Sequence, residues 1–171
     1  EDFWEIFKVK ADFNYEVDLT NDNVQAYAAF IAGCCEDCEL RHFDRTGVAA
    51  VIEHASRIVA NQGKVSSQFA YIKELVQESE HWARQEDAQR VSAQHVARAI
   101  DERLFRHNLS DEHLREMFEE GSILIDTEGS VVGQVNGLAV YSLGDYMFGK
   151  PSRITASTSM GRAGIINIER E

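Results

Sequence analysis

From Val24 to Phe118 the apolar positions recur three and four residues apart, and beyond Gly121 they alternate with polar residues and glycines. The first spacing predicts amphipathic helices and the second predicts short strands. Val24, Tyr27, Ala28, Ile31, Cys34, Cys35 and Cys38 form one stripe, with Thr20 as N-cap and Asp22 near the positive end of the helix dipole. A second helix is expected after Asp44, carrying Val48, Val51, Ile52, Ala55, Ile58 and Val59 and ending near Gly63. Ser66 or Ser67 is expected to open a third, with Phe69, Ile72, Val76, Ser79 and Ala83 along one side and Leu75 and Trp82 beside them. Ser92 is expected to cap a fourth bearing Val96, Ala99 and Ile100, and Ser110 a short fifth bearing Leu114, Met117 and Phe118 that Gly121 stops. None is apolar all round, so they should share one core as a small bundle.

Strand expectations stand at both ends of this run. Phe3 to Phe13 alternates enough for one short strand. Ile123–Asp126 and Val131–Val135 flank Thr127-Glu128-Gly129-Ser130 in a hairpin pattern, and Gly137–Ser142, Arg153–Ser159 and Ile165–Ile168 are further strand candidates. The intervening LGDYMFGKPS reads as a turn-rich loop exposing aromatics. Eight of the eleven glycines and the single proline, Pro151, lie from Gly121 onward. The fold class expected is α+β: a helical bundle followed by a small, incomplete β region, since about fifty residues with so many strand edges cannot bury a sufficient core unaided.

Composition adds exclusions. A hydrophobic share of 44% and a charged share of 27% are ordinary for a globular chain. No run of about 18 apolar residues exists, so no membrane span is expected. The start, Glu-Asp-Phe-Trp-Glu-Ile, has neither the basic nor the apolar part of a signal peptide, and its lack of Met suits a segment of a longer chain. A formal charge of −12 argues against nucleic-acid binding, because neutralising phosphates needs surplus Lys and Arg. Three cysteines within five positions, an odd number, point to a reducing cytoplasm rather than a disulfide framework.

Candidate chemistry is sparse. Cys35, Cys38 and His42 have spacing that would bring them together on one helix face, as a soft-metal site requires. The cysteines also continue the apolar stripe, and zinc sites commonly use two separated ligand pairs, so the structural reading prevails and no metal is expected. The six histidines, at 42, 54, 81, 95, 107 and 113, form no HExxH pattern; His54 and His81 are expected on partly exposed helix faces. Gly144 to Lys150 approaches a phosphate loop, but Pro151 stands where the Mg²⁺-binding hydroxyl is needed. Ser152, Ser157 and Ser159 lack an evident base, and the nearness of Lys150 to Ser152 in sequence does not make a dyad.

Several words of the sequence carry a family resemblance. GSILIDTEGSVVGQVNGLAV, GDYMFGKPSRITA and the terminal NIERE resemble the start of the peptidase domain of Lon-type ATP-dependent proteases, in particular the LonB-like bacterial branch of La homologues. The match runs over about fifty contiguous residues and is specific. NVQAYAAFIA, the stretch from FDRTGVAAVIEHASRIVANQG to HWA, and VSAQHVARAIDERLFRHN resemble successive helices of the AAA+ lid, and FKVKADF the end of the large AAA+ subdomain. The resemblance implies residues 1–16 as the end of the large subdomain, 17–109 as lid, 110–121 as connector helix and 122–171 as the first strands of the peptidase domain.

It further implies a parent enzyme that degrades proteins with a Ser-Lys dyad, uses ATP and Mg²⁺, and assembles as a homo-oligomer, a hexamer. The Walker motifs and the dyad both fall outside this chain, which therefore holds no catalytic residue and no cofactor of its own; its first partner is the rest of the same polypeptide. The family's lid presents an Arg toward the nucleotide γ-phosphate early in its third helix, and the matching position in KVSSQF is Gln68. Gln donates a hydrogen bond without charge, which implies weaker or differently organised sensing, with Lys64 or Arg84 compensating where the fold brings them there. The reading of Gln68 as a solvated helix residue is favoured over nucleotide sensing, because amide side chains on helix surfaces are common. The rival from another class is a stand-alone helical adaptor whose β tail adds strands to a partner's sheet. A reading frame encoding only these residues would favour it, and an upstream Walker A motif would exclude it. A third possibility, a metal-dependent regulator, has a direct test. Titrating the folded protein with zinc is expected to give no tight stoichiometric binding; a tight one-to-one isotherm would overturn the structural reading of the cysteines.

Overall fold

Thr20 turns an extended segment into the first helix: its backbone is extended and its Oγ1 accepts from the Asn23 amide at 3.2 Å. In this computed structural model, which describes residues 6–143, 146–158, 160, 161 and 164, the order is β1 (Glu16–Asp18), α1 (Asn21–Asp37), α2 (Arg45–Ile58), β2 (Lys64–Ser66), α3 (Phe69–Gln85), α4 (Ala93–His107), α5 (Leu109–Glu119), β3 (Gln134–Leu143) and β4 (Tyr146–Thr155). The chain divides into two compact units, Glu1–Arg103 and Leu104–Glu171. The α+β class is as expected, with the helices first and a small β region after them. No helix among the described residues is long and apolar enough to cross a membrane.

The first unit is built around the apolar face of α3. Ile72, Leu75, Val76, Ser79 and Ala83 are fully buried, and they meet Tyr27, Ile31, Cys34 and Cys35 of α1, Val51 and Ala55 of α2, and Val96 and Ala99 of α4. Each large aliphatic side chain so buried stabilises by about 1.5–3 kcal/mol, an upper figure because the unfolded chain is already partly compact. Three helices end on a residue other than glycine in the left-handed region: Glu39 after α1, Ala60 after α2 and Asp87 after α3. After α1 and α3 the amides of Leu40 and Ala88 reach back to Cys35 and Ala83, closing Schellman turns.

Several expectations at element boundaries are corrected. The strand expected within 3–13 does not form over the described residues 7–13; β1 lies at Glu16–Asp18 and pairs antiparallel with β2, Val17 opposite Val65. β2 was not foreseen, and it explains why neither Ser66 nor Ser67 opens α3. Ser66 is drawn into the ribbon, fully buried, with its carbonyl accepting from the Tyr27 hydroxyl, so the helix begins at Phe69. The second helix stops at Ile58 rather than near Gly63, because Ala60 already adopts the left-handed conformation. Asp44 caps α2 as expected, its Oδ1 accepting from the Gly47 amide at 2.9 Å. Ser92 takes the N-cap place of α4 with its carbonyl, but its side chain stands beside His95 Nδ1 and the Ala93 amide donates to Thr46 Oγ1 instead. Ser110 lies inside the first turn of α5 and does not cap it.

In the second unit, Gly121 ends α5 at φ +74°, with its amide on the Phe118 carbonyl and that of Ser122 on Met117. The hairpin expected across 123–135 is absent: residues 123–133 are irregular, and the ribbon is instead β3 against β4, from Gln134 opposite Thr155 to Leu143 opposite Tyr146. The stretch read as a loop therefore supplies most of β4, because Tyr146 and Phe148 pair with the opposite strand, Phe148 stacking on Tyr141 at 5.7 Å. The candidate strand Arg153–Ser159 contributes only its first residues to β4, and Ile165–Ile168 lies outside the described residues.

A close approach fixes how α2 begins. Around the Phe43–Val91 bridge the Val91 amide donates to the His42 carbonyl at 3.0 Å, and the Asp44 amide donates to the Val91 carbonyl at 2.9 Å. A Cβ on Gly47 would lie 2.5 Å from that carbonyl oxygen. Gly47→Ala is expected to cost about 1–3 kcal/mol of stability in a denaturant titration, through backbone displacement. An unchanged midpoint would show that the approach is not tight.

Candidate functional site

The expected nucleotide-facing residue, Gln68, stands at the N-cap of α3, exposed and without a side-chain capping bond. Its amide donates to Ser66 Oγ at 3.2 Å, so the end of β2 presents it. Behind it Phe69 packs on Phe30 at 4.9 Å and on Tyr27 at 5.7 Å, which fixes the first turn of α3 against α1. Of the two cations considered as its substitutes, Lys64 is held by Glu16 across the ribbon, and that carboxylate raises its pKa. Arg84 lies in the last turn of α3, roughly 24 Å from Gln68 along a helix rising about 1.5 Å per residue, and pairs with the buried Glu80 at 3.1 Å. The fold does not bring Arg84 to this end. Gln68 thus stands at a helix N-terminus, with Lys64 engaged by Glu16 and Arg84 at the opposite end of α3.

The N-termini of α2 and α4 meet in a second polar group. Asp44 Oδ1 accepts from both the Gly47 amide and Thr46 Oγ1, and Thr46 Oγ1 in turn accepts from the Ala93 amide at 3.1 Å. The Thr46 hydroxyl first, and then the Gly47 amide, hold the Asp44 carboxyl below its ordinary pKa. Next to it the Ser92 amide donates to His95 Nδ1 at 2.9 Å, which places the imidazole proton on Nε2, facing Glu86 Oε2 at 3.2 Å. Glu86 also receives Arg98 at 2.9 Å, and Arg98 lies over the Trp82 ring at 3.9 Å. These contacts join α3, α4 and the start of α2.

The third group was missed by sequence reasoning. Arg103, only 7% exposed, donates from Nη2 to Glu74 Oε2 and to Glu78 Oε1, both at 2.9 Å, and from Nε to Glu78 at 3.2 Å. Its guanidinium lies 4.6 Å from the centre of the Tyr71 ring, and the Tyr71 hydroxyl is 2.9 Å from His54 Nε2. Burial acts to lower the Arg103 pKa, but the bonds and charges of Tyr71, Glu78 and Glu74 outweigh it and hold it above its usual value. A signal existed: Val96, Ala99, Ile100 and Arg103 continue one helical stripe, so a cation occupies a core-facing position.

The cysteines behave as core residues. Cys34 and Cys35 are buried, and burial pushes both thiols above their ordinary pKa, away from the thiolate that a metal or electrophile needs. The grouping with His42 fails because α1 ends at Asp37 and Glu39 turns left-handed, so His42 is not on the helix; it is exposed. Among the described residues no three His, Cys, Asp or Glu side chains converge as a metal site would require. His54 is half-buried and His81 exposed, near their expected setting, whereas His95 is buried. In the second unit Lys150 and Ser152 are exposed on β4, opposite Ala139 and Gly137, and Ser159 lies outside the described residues. Within this unit the Tyr146 hydroxyl donates to Asp111 Oδ2 at 2.9 Å, and Arg115 pairs with the same carboxylate, beside a cavity of about 430 Å³ lined by Leu114, Phe118 and Phe148.

Comparison with known proteins places this geometry. Residues 42–106 match the family model of the archaeal LonB AAA+ ATPase lid domain, which covers α2, α3 and nearly all of α4. The archaeal Lon protease of Archaeoglobus fulgidus is 29% identical over 136 residues, 75% of this chain and 22% of that protein. A Lon protease homolog of Escherichia coli K12 is 30% identical over 87 residues, 50% of this chain and 15% of its own length. One of Haemophilus influenzae is 39% identical over 51 residues, 29% and 8% respectively. The chain thus spans at most 22% of the length of these relatives.

The Asp44 cap gives a pH signature. Its folded pKa is depressed, so its stabilisation is present above the unfolded value near about 3.9 and is lost as pH falls through the folded one. Asp44→Ala is expected to lower Tm at pH 7 and to lower it progressively less as pH drops below the ordinary carboxylate range. A Tm difference independent of pH would mean that the carboxylate charge contributes nothing.

Proposed function

We propose that the chain, which is similar to Lon-type proteases, belongs to that family and is the mechanical coupler of an ATP-dependent, Lon-like serine protease. In this reading residues 1–16 close the large AAA+ subdomain, 17–109 are its helical lid, 110–121 the connector and 122–171 the first strands of the peptidase domain. The observation that carries it is the lid match over residues 42–106, followed within the same chain by α5 and a β-rich unit.

ATP and Mg²⁺ belong to the parent rather than to this segment. The residues present do not make a phosphate site by themselves: the sequence has no GxxxxGK[ST], Lys64 is engaged with Glu16, and Arg84 is at the far end of α3. Gln68 would face a nucleotide bound by the preceding subdomain and offer it one uncharged donor. The Ser-Lys dyad, the protein substrates and the hexameric ring are likewise properties of the parent, whose place is the cytoplasm.

The β ribbon supports the same reading. Leu138, Val140 and Met147 are 66–69% exposed on one face, while Val135, Ile154 and Tyr141 are 45–60% exposed on the other. A two-stranded ribbon is marginal alone and needs a further layer. Tilting of the lid on ATP binding would pass through α5 to these strands, which requires an element that both states hold differently. Inserting Gly-Ser residues within α5 of the complete polypeptide is expected to leave ATP hydrolysis intact and abolish its coupling to protein degradation. Unchanged processive degradation would refute the coupling role, and a complete polypeptide without ATP-dependent proteolysis would refute the protease reading.

A further inference from the structure

We propose that Arg103 is a positioning residue, the anchor that holds the last turns of α4 in register on α3 so that movement of the first unit reaches α5 without slack. The inference rests on the coupling function proposed above and names the residue that makes it stiff.

The arrangement is more than apolar burial would require. A leucine or methionine at this stripe position would enter the core with less desolvation cost, and buried ion pairs add little net stability over such residues. What a guanidinium adds is direction. Its planar fork meets Glu74 and Glu78, one turn apart on α3, while its face rests on Tyr71, so rotation and sliding of α4 against α3 are both opposed. Tyr71 reaches on to His54, which brings α2 into the same group. Arg103 is also the final buried residue of α4, and Leu104 and Phe105 after it are 42% and 67% exposed. Only Asn108 separates α4 from α5. In the proposed role an anchored last turn of α4 passes a twist on, whereas a loosened one would absorb it.

The test uses the complete polypeptide carrying Arg103→Met, which keeps the stem and removes the donors, and Arg103→Lys, which keeps charge but not the fork. Glu74 and Glu78 are 62% and 28% exposed as side chains, so neither is stranded in the core by these changes. Amide hydrogen exchange is expected to accelerate by about ten-fold across residues 99–119 while residues 72–83 keep their protection. ATP hydrolysis should be retained, and the ATP consumed per peptide bond cleaved should rise by about three-fold or more for Met and by less for Lys. Should Arg103→Met fail to fold, Glu74→Gln with Glu78→Gln loosens the same anchor and is read the same way. Loss of protection spread equally into residues 72–83, no change at 99–119, or a parallel fall of ATPase and cleavage would each overturn the proposal. Absence of ATP-dependent proteolysis in the unaltered protein would sink the protease reading and the coupling role with it, while exchange would still decide whether Arg103 anchors α4.

Discussion

Removal of one face of α3 from water is the constraint on which the first unit depends. Ile72, Leu75, Val76 and Ala83 have no solvent contact, and every other helix of that unit contributes residues to the cluster they enter. Because the hydrophobic term is non-directional, it brings the helices together without fixing their rotation or axial register. The polar groups supply that. Asp44 and Thr46 join two helix N-termini, Arg41 donates to the carbonyls of Ala83 and Ala88 where α3 ends, and Glu86 gathers His95 and Arg98.

These groups satisfy backbone and side chains that the core would otherwise strand, and among the described residues no buried side-chain nitrogen or oxygen lacks a partner. Their placement at helix ends has a mechanical consequence. Apolar contacts alone would let helices slide under load; hydrogen bonds at the termini resist it. Arg103 extends the same device to the last residue of the first unit, within the final turns of α4.

The second unit has the opposite character. Its ribbon has ten paired positions, yet the large apolar side chains of both strands remain mostly in water. Tyr146 and Asp111 tie β4 to α5, and Asn136 ties β3 to the Asp126 carbonyl at 2.7 Å. Stability is thus divided unevenly between the two units, with the folded core in the first and exposed apolar surface in the strands of the second.

The sequence by itself determined the helices and the α+β class, since helical periodicity is a local property, and the words that carry its resemblance to Lon-type proteases are contiguous. Thr20, Asp44 and Gly121 announced helix ends because capping needs only neighbours in sequence. The tertiary structure alone decided β2 and the start of α3, where Ser66 is claimed by Tyr27 from thirty-nine positions away, and the displacement of the hairpin from 123–135 to β3 and β4, where cross-strand aromatic pairing overrode the turn signal of Glu128-Gly129. It also decided that Arg84 stands far from Gln68 and that Arg103 is buried among carboxylates. Charge partners, strand register and distance are relations between residues remote in the chain, and periodicity carries no record of them.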